Sequence, residues 1–210
     1  MNIARIQGRF KGYGEIITAA VLWGTAGIFV KMIHDMTALS IIFYRVTFAF
    51  MILLVFFSLS GNLKRLRLKD KKTFLLLFSI LQITTMLTFF ISIMEASIPI
   101  AVLLLYTAPL YVTAFSPVLL GERSTGRVWL ALFMSIVGIV FIIEPGKTEF
   151  SMDYVGIIAG LLSGISYAFQ IMTSRYISKS YSGYSQAFWS FIIATLLLAP
   201  VASVPSDIVM

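Results

Sequence analysis

Seven long apolar runs set the first constraint on what this chain can fold into. They lie near Glu15–Ile33, Ala38–Ser60, Thr73–Met94, Ile98–Leu120, Val128–Ile143, Tyr154–Tyr176 and Gln186–Val204. A helix of about 20 apolar residues crosses the ~30 Å hydrocarbon layer of a bilayer. Barrel strands are shorter, ~10 residues of alternating polarity, and these runs are continuous. The fold class that follows is an all-α membrane protein of about seven transmembrane helices. Composition agrees. With 59% hydrophobic and only 12% charged residues, against roughly 25% charged in soluble domains, the chain has too little polar surface to face water all round.

The net charge of +7 would suit nucleic acid if it were gathered on one soluble face. It is instead sorted by loop. Arg5, Arg9 and Lys11 precede the first run; Lys64, Arg65, Arg67, Lys69, Lys71 and Lys72 follow the second. Arg123 and Arg127 follow the fourth, and Arg175 and Lys179 the sixth. If the helices alternate, these thirteen of the sixteen basic residues share one side, and Asp35, Glu95, Glu144, Glu149, Asp153 and Asp207 lie on the other with Lys147. Cytoplasmic loops carry the excess of Lys and Arg. The expectation is therefore a multi-pass plasma-membrane protein with a cytoplasmic N-terminus and the lipid bilayer, not nucleic acid, as its partner. The Lys64–Lys72 cluster also suits anionic lipid, although the topology rule explains it without a ligand. The first run is full length and lacks an A-x-A-type cleavage site, so it reads as a retained helix rather than a signal peptide.

An internal similarity follows. Ala19-Ala20-Val21-Leu22-Trp23-Gly24 resembles Ala159-Gly160-Leu161-Leu162-Ser163-Gly164, and Thr37–Leu53 lines up loosely with Ser182–Leu198, setting Phe43-Tyr44 against Phe188-Trp189. Five helices separate the copies. An odd number makes the second copy enter the membrane from the opposite side, the inverted-topology repeat of many secondary transporters. Gly156, Gly160 and Gly164 share one face of the sixth helix, with Ala20 and Gly24 in matching places on the first. Small residues at this spacing let helix backbones approach closely.

Leu22-Trp23-Gly24, Phe43-Tyr44-Arg45, Leu105-Tyr106-Thr107-Ala108-Pro109-Leu110, Leu120-Gly121-Glu122-Arg123 and Val137-Gly138-Ile139-Val140 together resemble the drug/metabolite transporter superfamily, specifically its EamA-type members. The resemblance implies two five-helix repeats around a central substrate cavity, alternating access, small-metabolite or drug substrates and no bound cofactor. On that pattern residues 1–145 form a first repeat of five helices, and residues 146–210 hold the first two helices of a second. Three helices of the pattern are then missing. The expectation is a truncated or interrupted chain, or one completed by a partner such as a second copy of itself.

Arg45 is the sharpest candidate site residue. It falls about seven residues into its helix, roughly 10 Å deep at 1.5 Å per residue. An arginine at the bilayer centre costs about 2.5–3.5 kcal/mol on insertion scales and usually faces a cavity or a partner; a structural ion pair with Glu95 is the competing account. Trp23, Tyr44, Gln82, Tyr106 and Gln170 supply aromatic faces and hydrogen-bonding groups for a substrate cavity. Glu95 is a candidate proton-linked carboxylate or an ordinary loop residue. Pro99, Pro109 and Pro117 are expected to kink the fourth helix. Lys31 reads as an interfacial residue whose head reaches the water, and His34 as a solvated loop residue.

Other classes find less support. The chain has no cysteine, one histidine, no H-E-x-x-H and no close pair of buried carboxylates, so neither a metal site nor an intramembrane enzyme is indicated. No T-V-G-Y-G filter suggests a channel, and no G-x-x-x-x-G-K-[ST] loop suggests ATP hydrolysis. The seventh helix has no lysine for a retinal Schiff base. A membrane fragment without transport activity of its own remains the chief alternative to a permease.

Overall fold

The computed structural model describes residues 3–33, 36–61, 63–119, 121, 126, 128–130, 132–134, 137 and 154–202. Most of the expected fifth span, the 145/146 repeat boundary, His34, Glu122, Arg123 and the ending from residue 203 lie outside these residues. The described elements are α1 (Ile3–Met32), α2 (Ala38–Leu59), α3 (Lys72–Glu95), α4 (Ile98–Leu105), α5 (Ala108–Leu119), α6 (Tyr154–Ile177) and α7 (Gly183–Leu198), with a short 3-10 turn at Leu63–Leu66. No strand occurs among the described residues. Among the described residues, five stretches are long and apolar enough to cross a membrane: Gly12–Met32, Ala38–Leu59, Lys72–Glu95, Ile98–Leu119 and Tyr154–Ile177. The chain is an all-α membrane protein.

Two units divide at residue 34. The first holds α1, a single helix. The second holds α2–α7. Within it α3 runs along α6 and α2 along α7, while α4 and α5 lie on α6. Hydroxyls on α3 bond back to their own helix: Ser79 to the Leu75 carbonyl at 2.8 Å, Thr85 to Leu81 at 2.8 Å and Thr88 to Thr84 at 2.7 Å. These bonds satisfy polar side chains where no water is available.

Local sequence explains the helix ends. Thr37 caps α2 by accepting the Ser40 amide at 3.3 Å, and Ser182 caps α7 by accepting the Ser185 amide at 3.3 Å. Hydroxyl acceptors at this position satisfy amides that have no partner inside the helix. This puts the start of α7 three residues before the expected Gln186. Pro200 has no N–H to continue the helix, and α7 ends at Leu198. The expected fourth span is two helices. Pro109 lacks a donor for the Leu105 carbonyl and its ring crowds it, so α4 stops at Leu105 and α5 restarts at Ala108. Pro99 does not kink anything: it sits in the first turn of α4, where the missing N–H is harmless.

The capped stretches share more than their starts. Thr37 and Ser182 stand 145 residues apart, as do Phe43-Tyr44 and Phe188-Trp189. Both aromatic pairs are T-shaped, with centroids 5.3 and 5.8 Å apart. The two helices also meet each other, Phe50 against Phe188 at 5.6 Å and the Thr47 hydroxyl 3.3 Å from that of Thr195.

Gln186 ties the α6–α7 turn. Its amide donates to the carbonyls of Tyr181 at 3.1 Å and Ser174 at 3.4 Å, and its oxygen accepts from the Ser174 hydroxyl at 2.6 Å. Gln186→Leu leaves those buried groups unpaired. It is expected to lower stability by about 2 kcal/mol, read from thermal unfolding in detergent; an unchanged melting temperature would show that these bonds contribute nothing.

Candidate functional site

The pairing of α3 with α6 gives the site its coordinate. Phe74, at the start of α3, meets Tyr176, at the end of α6, with ring centroids 4.7 Å apart. At the other end, a Cβ built on Gly156 would lie 2.7 Å from the Cβ of Ala96. The helices are therefore antiparallel, and depth can be counted along both. From the Phe74–Tyr176 pair, Gln82 is about 12 Å along α3 and Gln170 about 9 Å along α6 at 1.5 Å per residue. The two half-buried glutamines lie at nearly one depth, on neighbouring helices.

Nearer the Ala96 end lies a second level. The Arg45 guanidinium stands over the ring of Phe90, 5.8 Å from its centroid. Phe90 is buried on α3, whereas Arg45 and Tyr44 are half-buried on α2. On the opposite side of α3, Gly160 and Gly164 bring α6 against Ser92, Leu104 and Thr107. A Cβ on Gly160 would come within 2.8 Å of the Ser92 hydroxyl, and one on Gly164 within 2.6 Å of both the Leu104 carbonyl oxygen and the Thr107 hydroxyl. The glycine face of α6 is thus filled by the end of α3 and by the α4–α5 break. At Gly164 the neighbour is the Leu104 carbonyl, so backbone meets backbone there and glycine is required.

The break itself is polar. The Thr107 hydroxyl donates to the Leu104 carbonyl at 2.6 Å, and the Thr107 amide donates to the same carbonyl at 3.2 Å. Tyr106 occupies the corner and is 52% exposed. Tyr167 on α6 is a neighbour of Tyr106. Arg45, the break and Gly164 fall within about one helical turn of each other in depth.

Other sequence candidates fall elsewhere. Glu95 is exposed at the C-terminal end of α3, beyond the Arg45 level. Trp23, Ala20 and Gly24 are exposed on α1, in the first unit. Sequence reasoning missed Ser92, Thr107 and Tyr167. Tyr167 had a usable signal, since it lies three residues beyond Gly164 on the same helix. Ser92 had none: its burial, with its hydroxyl unpaired among the described residues, depends on where Gly160 falls. No group of three or more His, Cys, Asp or Glu able to hold a metal occurs among the described residues.

A long-helix membrane bundle with a span broken at depth narrows the choice of family, and comparison with known proteins decides it. The model of the EamA-like transporter family matches residues 10–144. The chain belongs to the EamA-like transporter family. It is 33% identical over 190 residues to an uncharacterized transporter of Archaeoglobus fulgidus, covering 90% of this chain and 66% of the relative. It is 27% identical over 197 residues to the uncharacterized inner membrane transporter YicL of Salmonella typhimurium, again covering 90% and 66%. Over 113 residues it is 28% identical to the pseudopaline exporter CntI of Pseudomonas aeruginosa, covering 54% of this chain and 39% of that one. This EamA chain therefore spans just under two thirds of the length of the first two relatives. No solved structure matches it.

Proposed function

We propose that this EamA-family chain belongs to a secondary transporter that moves small metabolites across the plasma membrane by alternating access, without catalysing a reaction. The observation that carries the reading is the α4–α5 break. Irregular backbone at membrane depth is tolerated where it is buried in protein or lines a cavity, and broken helices at such places form transporter binding sites. Here the break, with Tyr106 at its corner, falls within about one helical turn of Arg45 in depth. In this reading Arg45 holds a polar or anionic part of the substrate, and Tyr44, Tyr106, Gln82 and Gln170 line its path, with Glu95 beyond them at the end of α3. The N-terminus and the α2–α3 connection are cytoplasmic. Residues 1–145 form the first repeat and residues 146–210 part of an inverted second one; the shared capping and aromatic geometry of α2 and α7 supports this division.

The test is flux. The chain is reconstituted in proteoliposomes and exposed to a panel of radiolabelled small metabolites under an imposed proton gradient or in counterflow. Saturable uptake of at least one solute above protein-free vesicles is expected. Absence of uptake across the panel, with the chain folded and inserted, would favour a membrane fragment without activity of its own.

A further inference from the structure

The α2–α3 connection is bound to the second half of the chain by contacts that the transport site does not use. Tyr181, between α6 and α7, is 1% exposed. Its hydroxyl donates to the Lys69 carbonyl at 2.6 Å and accepts the Lys69 amide at 2.9 Å. Trp189 on α7 donates its indole N–H to the Leu66 carbonyl at 2.7 Å. The Lys71 ammonium lies 3.9 Å from the centroid of Tyr176 and donates to the Tyr176 carbonyl at 3.4 Å. Leu66 is buried with Phe57 and Phe188, whereas Arg67, Leu68, Lys69 and Asp70 are exposed. The segment is a solvent-facing strap held at a few points.

We infer that Tyr181 is a gating residue: its hydroxyl holds the Leu63–Lys71 strap across the ends of α6 and α7 and keeps that end of the bundle shut. The inference rests on the transport reading, in which each end must open in turn. Three features fit a latch better than a permanent weld. Tyr181 and Trp189 grip main-chain atoms of the strap, so the joint involves few groups. Tyr181 keeps its ring among Leu75, Phe78 and Ile177, so releasing its hydroxyl does not require it to leave that cluster. Net hydrogen bonds are each worth a factor of about ten or less, which suits an equilibrium between two populated states.

Accessibility tests it in the full chain, which has no native cysteine. Ser185 and Ser40 are both buried in first turns, of α7 and α2 respectively. Ser185 lies one turn before Trp189, near the strap; Ser40 lies at the opposite end of the bundle. Ser185→Cys and Ser40→Cys serve as single probes for a membrane-impermeant maleimide in proteoliposomes. Tyr181→Phe should label the Ser185 probe about tenfold faster and the Ser40 probe no faster than before. Trp189→Phe should do the same more weakly, and stands in if Tyr181→Phe folds poorly. Acceleration at both probes would mean general loosening and would overturn the gate, as would no change at either. Flux is read in the same vesicles. One-sided labelling without flux in the parent chain overturns the transport reading alone; flux with unchanged labelling overturns the gate alone.

Discussion

Gly164→Ala is expected to cost about 3 kcal/mol, and Gly164→Val to leave little folded protein. The new Cβ would stand 2.6 Å from the Leu104 carbonyl oxygen and 2.6 Å from the Thr107 hydroxyl. One of those atoms is backbone, and the other is already bonded to it. Neither can move without disturbing the α4–α5 break. Overpacking of a tight site costs typically 1–3 kcal/mol, and here there is no flexible side-chain end to yield. Total stabilities of only about 5–15 kcal/mol make this a large fraction. Gly183→Ala is the control. It begins α7, nothing lies within 4 Å of its would-be Cβ, and it should be neutral or stabilising by up to about 1 kcal/mol. Melting curves in detergent decide the matter. If Gly164→Ala melts with the parent chain, α6 does not approach the break as closely as described.

Arg45→Gln should separate function from stability. Losing one charge-assisted hydrogen bond to a substrate, about 1.5–3 kcal/mol, lowers flux by roughly ten- to 150-fold. The same change removes a charge whose insertion costs about 2.5–3.5 kcal/mol and a ring contact worth up to about 2 kcal/mol. Melting temperature should therefore hold or rise while flux falls. Arg45→Lys keeps the charge but not the planar fork, and should fall between. Flux of Arg45→Gln equal to the parent chain's, at equal yield, would remove Arg45 from the substrate site. A melting temperature that falls together with flux would assign Arg45 a structural task instead.

Much of the architecture was legible in the chain. The apolar runs at Ala38–Ser60, Thr73–Met94 and Tyr154–Tyr176 match α2, α3 and α6 to within a residue at each end, because a spanning helix must satisfy its own backbone and cover itself in apolar side chains. The family was legible for a related reason: Leu105–Leu110 lies where a helix breaks and Phe43–Arg45 carries a charge into the membrane, and such positions accept few residues. The prolines announced a disturbed fourth helix. Only the structure showed a clean break at Tyr106–Thr107, with Pro99 playing no part in it.

The sequence by itself determined an all-helical membrane chain, the positions of α2, α3 and α6 and a set of candidate polar residues, since hydrophobic length and backbone satisfaction are local properties. It left open which face of each helix meets which neighbour, for nearly every face of a membrane helix is apolar. Tertiary packing decided that Gly156, Gly160 and Gly164 are filled by α3 and the α4–α5 break, that Gln82 and Gln170 share a depth, and that Tyr181 reaches a backbone more than a hundred residues away. Those pairings arise from shape and a few hydrogen bonds between distant segments, and no periodicity along the chain encodes them.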